Sequence, residues 1–230
     1  MKQKSNLEIL QLIRNYNMPV GATFLGEQLG LPQATVGRIL LTLEQKGLLE
    51  KVSNKGRRLT SQGMDYVSQQ EQLHDKLNAA KSIIETAESG SKKKLYKILE
   101  IRLALEALSA ERACTNASPE DLQQLDAIML EYLHELKRGG IGSEQDLQLH
   151  LKIAEASGND TLEQMLRLIL TQEKAYTKFS MMSPHFTNIL IKQHSDIVEA
   201  IRNKDAQHAR EAMVAHLNHV MEDVRLYYHD

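Results

Sequence analysis

The sequence predicts a mostly α-helical protein in two parts. An N-terminal winged helix-turn-helix is followed by a C-terminal antiparallel six- to seven-helix bundle. Three observations carry this. Leu, Ala, Glu, Gln and Lys recur at helical spacing along most of the chain, while the alternation that marks strands is confined to residues 48–63. Glycine, proline and capping residues punctuate the helical stretches at short intervals. The charge is uneven: residues 1–63 hold nine Lys/Arg against four acids, +5, which leaves −7 for the rest of a chain whose net charge is −2. A basic head on an acidic body is expected to meet a polyanion through the head alone.

Taken in order, "NLEILQLIRNY" (Asn6–Tyr16) is a first amphipathic helix. "ATFLGEQLG" (Ala22–Gly30) is a second, ended by glycine, and "QATVGRILLTLEQKG" (Gln33–Gly47) a third, burying Val36, Ile39, Leu40 and Leu43 before its own glycine stop. Two short arms, Leu48–Val52 and Arg57–Thr60, then flank the turn "SNKG" and form a basic hairpin. Residues 64–92 make a polar connecting helix that weakens at "ESGSKKK". Six helical segments follow. The first covers about 95–115. The second opens on Ser118, Pro119 and Asp121, a cap, a first-position proline and a capping-box acid. "RGGIGS" precedes the third, "SGND" with Asn159 as cap precedes the fourth, Ser183-Pro184 starts the fifth, and "RNKDA" separates it from the last. The expected division is a DNA-binding domain at 1–66, a helical linker at 67–92 and a helical ligand-binding domain at 93–230.

With 42% hydrophobic residues in a 230-residue chain, disorder is excluded as the main state. The single cysteine, Cys114, rules out an intrachain disulfide and fits a reducing compartment. No apolar run approaches the ~18 residues of a membrane span. The N-terminus does not read as a signal peptide. A cytoplasmic protein is expected, with no membrane partner.

Helix, helix, short turn, helix and basic hairpin is the order of a DNA reader whose third helix lies in the major groove. Gln33, Thr35 and Arg38 fall on the early polar face of that helix. Lys55, Arg57 and Arg58 sit at the hairpin tip, where they would neutralise phosphates and make binding salt-dependent.

The body carries more specific text. "LYKILEIRLALEALSAERA", "SPEDLQQL", "DLQLHLKIAEASGN" and "HSDIVEAIRNKDAQHAREAMVAHLNHV" follow one another between Leu95 and about His219. This series resembles the effector domain of FadR-type regulators in the GntR family. The resemblance implies a helical domain that holds a divalent metal through one Asp and three His. Carried over by position, these are Asp146, His150, His194 and His216. It also implies a transcription regulator, not an enzyme, working as a homodimer on an operator in double-stranded DNA and answering to a small organic acid. The family often has an arginine near the cavity; here Arg102 is the candidate contact to an effector carboxylate, or else a structural ion pair with a neighbouring acid.

Spacing agrees with the ligand set. Asp146 and His150 are i and i+4, on one helix face. His194 lies ten residues before a turn around Lys204 and His216 twelve after it, so the two are nearly level on antiparallel neighbours. Imidazoles with one carboxylate suit Zn, Ni, Mn or Fe without choosing among them; Zn or Ni is the first expectation, Mn or Fe the next. Two alternatives attach to individual residues: Asp146 could close a capping box with Ser143, and His219 could stand in for His216. His134, His185, His208 and His229 read as surface histidines.

The head departs from the GntR pattern. "PQATVGRILL" has Gln33 where an arginine is expected and Gly37-Arg38 in place of Arg-Glu. The wing "NKGRRLTSQG" lacks the family's Gly-x-Gly core. The head reads as another winged-helix lineage joined to this body. Two other functions fit the same residues: a regulator for which the metal itself is the signal, and, last, a metal-dependent hydrolase.

Overall fold

The structure, a computed structural model, describes residues 2–52, 56–88, 91–170 and 187–227. The order is α1 (Lys2–Tyr16), α2 (Ala22–Leu29), α3 (Gln33–Gln45), β1 (Leu49–Lys51), β2 (Arg57–Leu59), α4 (Ser61–Ala87), α5 (Lys92–Asn116), α6 (Pro119–Lys137), α7 (Ser143–Ala156), α8 (Asp160–Leu170), α9 (Thr187–Arg202) and α10 (Ala206–Tyr227). The predicted class holds: the protein is helical apart from one two-stranded hairpin among the described residues. Lys55, at the tip of that hairpin, and Ser183-Pro184 lie outside the described residues.

The chain divides into two compact units, Met1–Ala80 and Lys81–Asp230, so the boundary falls inside α4. Val67 of α4 belongs to the first core and Ala87 to the second. The stretch expected as a linker, 67–92, therefore contributes apolar side chains to both units.

In the first unit, Ile9, Leu10 and Ile13 of α1, Leu25 of α2 and Val36, Leu40 and Leu43 of α3 close a core with Leu48 and Leu49. Burying each such side chain contributes roughly 1.5–3 kcal/mol relative to exposure. Arg14 grips both carboxylate oxygens of Glu71 on α4, at 2.7 and 2.5 Å, pinning α1 to the helix that follows the hairpin. β1 and β2 pair antiparallel, with Leu49 opposite Leu59 and Lys51 opposite Arg57. Val20 adds a bridge to Arg57. Gly56 makes this possible. Its φ is +117°, and a Cβ there would lie 2.3 Å from the Val20 carbonyl oxygen, so only glycine fits between the strand and the segment before α2.

In the second unit, α5 runs along α10 and also meets α7, α8 and α9. α9 and α10 form a hairpin through the turn at Lys204. The main core gathers Ala110 and Ala113 of α5, Leu125 and Tyr132 of α6, Leu149 and Ile153 of α7, Ile197 and Ile201 of α9, and Met213 and Leu217 of α10. The caps read from the sequence are formed. Ser118 and Asp121 make a reciprocal capping box with Pro119 at the first turn. Asn159 Oδ1 accepts from the Leu162 amide at the start of α8, at 3.2 Å. Lys152 of α7, almost fully buried, donates to Asp121 at 2.7 Å and to Glu155 at 2.9 Å, tying α7 to the cap of α6.

Candidate functional site

The bundle brings three histidines together. Their ligand nitrogens, one each from His150 on α7, His194 on α9 and His216 on α10, all lie within 4.8 Å of one another, and all three residues are buried. Among the described residues this is the one cluster of its kind. The turn at Lys204 sets His194 and His216 level: Nε2 faces Nε2 at 3.3 Å. The His150 ring stacks on His216 with centroids 5.2 Å apart and meets His194 edge-on at 5.4 Å.

Asp146 joins from one turn before His150. Its Oδ1 lies 3.2 Å from His194 Nε2 and 3.9 Å from His150 Nε2. The capping-box alternative for Asp146 is not what the backbone uses. α7 is preceded by Gly142, which makes no side-chain cap, and the Asp146 amide donates to the Gly142 carbonyl within the helix. The carboxylate is thereby left to the histidines. His219, the possible substitute, is instead set against Asp223 at 3.8 Å and lies outside the cluster. His134 and His208 are exposed; His185 and His229 lie outside the described residues.

Burial lowers the pKa of His194 to about 4, with Asp146 opposing the shift and the charge near His150 adding to it. Burial also holds His216 well below its ordinary value, reinforced by the charges of its histidine neighbours. Both imidazoles are neutral near pH 7, the form that ligates metal. The buried His150 Nε2 and His194 Nδ1 have no hydrogen-bond partner among the described residues. Bare nitrogens in a dry interior are costly unless something satisfies them. Three imidazoles and one carboxylate are a donor set that a divalent cation fits.

These shifts have a consequence for the protein without metal. Between about pH 6.5 and 4 the unfolded chain takes up a proton at His194 that the folded chain refuses. Stability is therefore fully present above the ordinary histidine pKa and falls with acidification, by about 1.4 kcal/mol per pH unit for each such histidine. Denaturant melts of chelator-treated protein from pH 8 to 4 check this. A body that becomes more stable on acidification would show that these imidazoles are charged in the folded state.

Nothing local in the sequence singles out the residues behind the histidines. Glu106 on α5 is fully buried; its Oε2 meets His150 Nδ1, and its Oε1 accepts from Arg102 Nε at 2.5 Å. Burial alone would raise the Glu106 pKa, but Arg102 and His150 outweigh it and hold the carboxyl at about 2. Of the two readings of Arg102, the ion pair with a neighbouring acid is thus formed. Gln193 Oε1 lies 3.3 Å from His216 Nδ1. Tyr132 packs its ring 5.6 Å from that of His194, and burial pushes its phenol pKa up.

In the first unit, Gln33 and Arg38 are exposed on α3 and Thr35 is half-buried beside them. Arg38 Nε makes a long contact, 3.4 Å, to the Ala34 carbonyl. Arg57 and Arg58 are differently placed. Arg57 pairs with Glu44 of α3 at 2.8 Å and is largely covered, whereas Arg58 pairs with Glu50 at 2.6 Å while remaining well exposed. Arg57 thus fastens the hairpin to α3, a tertiary pairing with no local signature.

Comparison with known proteins adds the lineage. A family model described as FCD domain matches residues 97–219, and one described as IclR helix-turn-helix domain matches residues 7–53. A putative L-lactate dehydrogenase operon regulatory protein of Escherichia coli K12 is 36% identical over 130 residues, 54% of this chain and 49% of that protein. The match therefore spans about half the length of that relative. The HTH-type transcriptional regulator LutR of Bacillus subtilis is 27% identical over 206 residues, 87% of each chain. Among solved structures, E. coli McbR/YncC superposes with a TM-score of 0.55 at 16% identity, covering 99% of this chain and 98% of that one, which shows a shared fold.

Proposed function

The chain belongs to the FCD-domain family of helix-turn-helix transcription regulators, and from that premise we propose that its body binds one divalent metal and a small carboxylate that together set how tightly its head holds an operator. The observation that carries the reading is the buried cluster of His150, His194 and His216 with Asp146 beside it. The carboxylate of Asp146 cancels only part of a divalent charge, so the site retains a positive field that favours an anion. The charge of Arg102 is felt at both His194 and His216, with its partner Glu106 opposing it at His194. When bound, the metal supplies an electrophilic centre to which a carboxylate can be drawn. The protein supplies its orientation and the exclusion of water. Lactate, the acid in the name of the E. coli relative, is the first ligand to try.

The effector acts only if it binds two arrangements of the regulator unequally. Readers of this type pair on two half-sites, so we take the working form to be a homodimer in the cytoplasm. On DNA, Gln33, Thr35 and Arg38 read from α3 and Arg58 approaches phosphate from the hairpin. The IclR-type match of residues 7–53 is the source of the departures from the GntR pattern in the recognition helix.

Selection of bound sequences from a random DNA pool, followed by fluorescence anisotropy with metal, with chelator and with L-lactate, tests the function. Operator affinity that changes with acid only when Zn²⁺ is present supports the proposal. Affinity that follows the metal and ignores every acid would leave the metal as the sole signal. On the selected operator, Arg38→Ala is expected to cost about 1–3 kcal/mol, and Arg58→Ala to reduce the slope of log affinity against log salt by about 1. Unchanged binding in both variants would remove these residues from the interface.

A further inference from the structure

We propose that Glu106, held by Arg102, is a positioning residue for metal binding: it fixes His150 in the tautomer that leaves Nε2 bare toward the cluster. This rests on the metal-centre reading above. A neutral imidazole carries one proton, and its position decides which nitrogen can ligate. Glu106 Oε2 meets His150 Nδ1 inside the body, with both side chains fully buried. An ionised carboxylate can only accept, so it holds a proton on Nδ1 and leaves Nε2, 3.9 Å from Asp146 Oδ1, as the nitrogen that can ligate.

Arg102 completes the device. It stands one turn before Glu106 on α5, nearly fully buried, and donates to the other carboxylate oxygen at 2.5 Å. The guanidinium occupies one carboxylate oxygen and the imidazole meets the other, so the Glu106 side chain is clamped between α5 and α7. α5 therefore sets a ligand on α7 while contributing none of the three clustered histidines itself. The other histidines are served differently. His216 Nδ1 faces the neutral amide oxygen of Gln193 at 3.3 Å, and His194 meets a carboxylate through Nε2, 3.2 Å from Asp146 Oδ1. Of the three Nδ1 atoms, that of His150 is the one set against a carboxylate among the described residues.

Two measurements on the full chain test this. The first is the ¹⁵N signature of the His150 ring in metal-free protein. Wild type is expected in the Nδ1–H form, and the charge-free pair R102M/E106L is expected to lose that preference. The second is Zn²⁺ affinity by competition with a chelator. Glu106→Gln and R102M/E106L are expected to bind 10–100-fold more weakly, the range for removing a partner behind a metal ligand, while Glu106→Asp recovers part of the loss. Wild-type His150 in the Nε2–H form would overturn the proposal even if no variant folds. So would a folded R102M/E106L with wild-type Zn²⁺ affinity. Absence of Zn²⁺ uptake by the wild type would instead overturn the metal-centre reading on which the proposal stands.

Discussion

Replacing His194 or His216 with alanine is expected to weaken Zn²⁺ binding by more than the ~100-fold that marks loss of an outer partner, because a donor itself is removed. The two nitrogens face each other at 3.3 Å at the centre of the cluster, and neither has a neighbouring histidine that could take its place. His219, three residues beyond His216, is turned toward Asp223. The loss has a second readout. At an excess of 100 times the dissociation constant, a metal that binds only the folded state raises stability by about 2.7 kcal/mol. Wild type should gain that increment in a thermal melt with Zn²⁺, and the variants should not. Asp146→Asn should fall between them, since asparagine retains an oxygen without the charge. Equal Zn²⁺-dependent stabilisation in wild type and His194→Ala would show that the ion binds elsewhere.

Gly142→Ala is expected to cost on the order of 2–4 kcal/mol and to loosen the metal site as well. Gly142 has a φ of +66°, and a Cβ there would lie 2.1 Å from the Tyr132 ring. The added methyl group thus meets both backbone strain and overpacking, each a term of about 1–3 kcal/mol. The ring has little freedom to retreat, for it is buried in the main core and also lies against His194. Either Tyr132 presses on a ligand or the start of α7, which carries Asp146, moves away. Denaturant melts and Zn²⁺ competition measured on the same samples check both effects. A variant as stable as wild type would mean that the ring and the turn have room the structure does not show.

How much of this was legible depended on whether a feature is local. The capping box at Ser118–Asp121 and the cap at Asn159 are written in adjacent residues, and both form as read. Levelness of His194 and His216 followed from counting outward from the turn at Lys204, because helix rise is constant. Gly142 was part of a break in the sequence, yet its contact with Tyr132 joins two helices that no spacing links. Glu106 was missed for the same reason: Arg102 and Glu106 are i and i+4, a readable pair, but the meeting with His150 is made by the packing of α5 on α7. Arg57 was read by its charge, whereas Glu44 on a separate helix decides what that charge does.

Titration of chelator-stripped protein with Co²⁺, whose visible absorption reports its ligands, tests the proposal that the body of this regulator is a metal centre. One equivalent per chain, with bands of a nitrogen- and oxygen-ligated ion that vanish in His194→Ala, is the predicted result. Binding that the triple variant H150A/H194A/H216A retains in full, or no binding by the wild type, would contradict it.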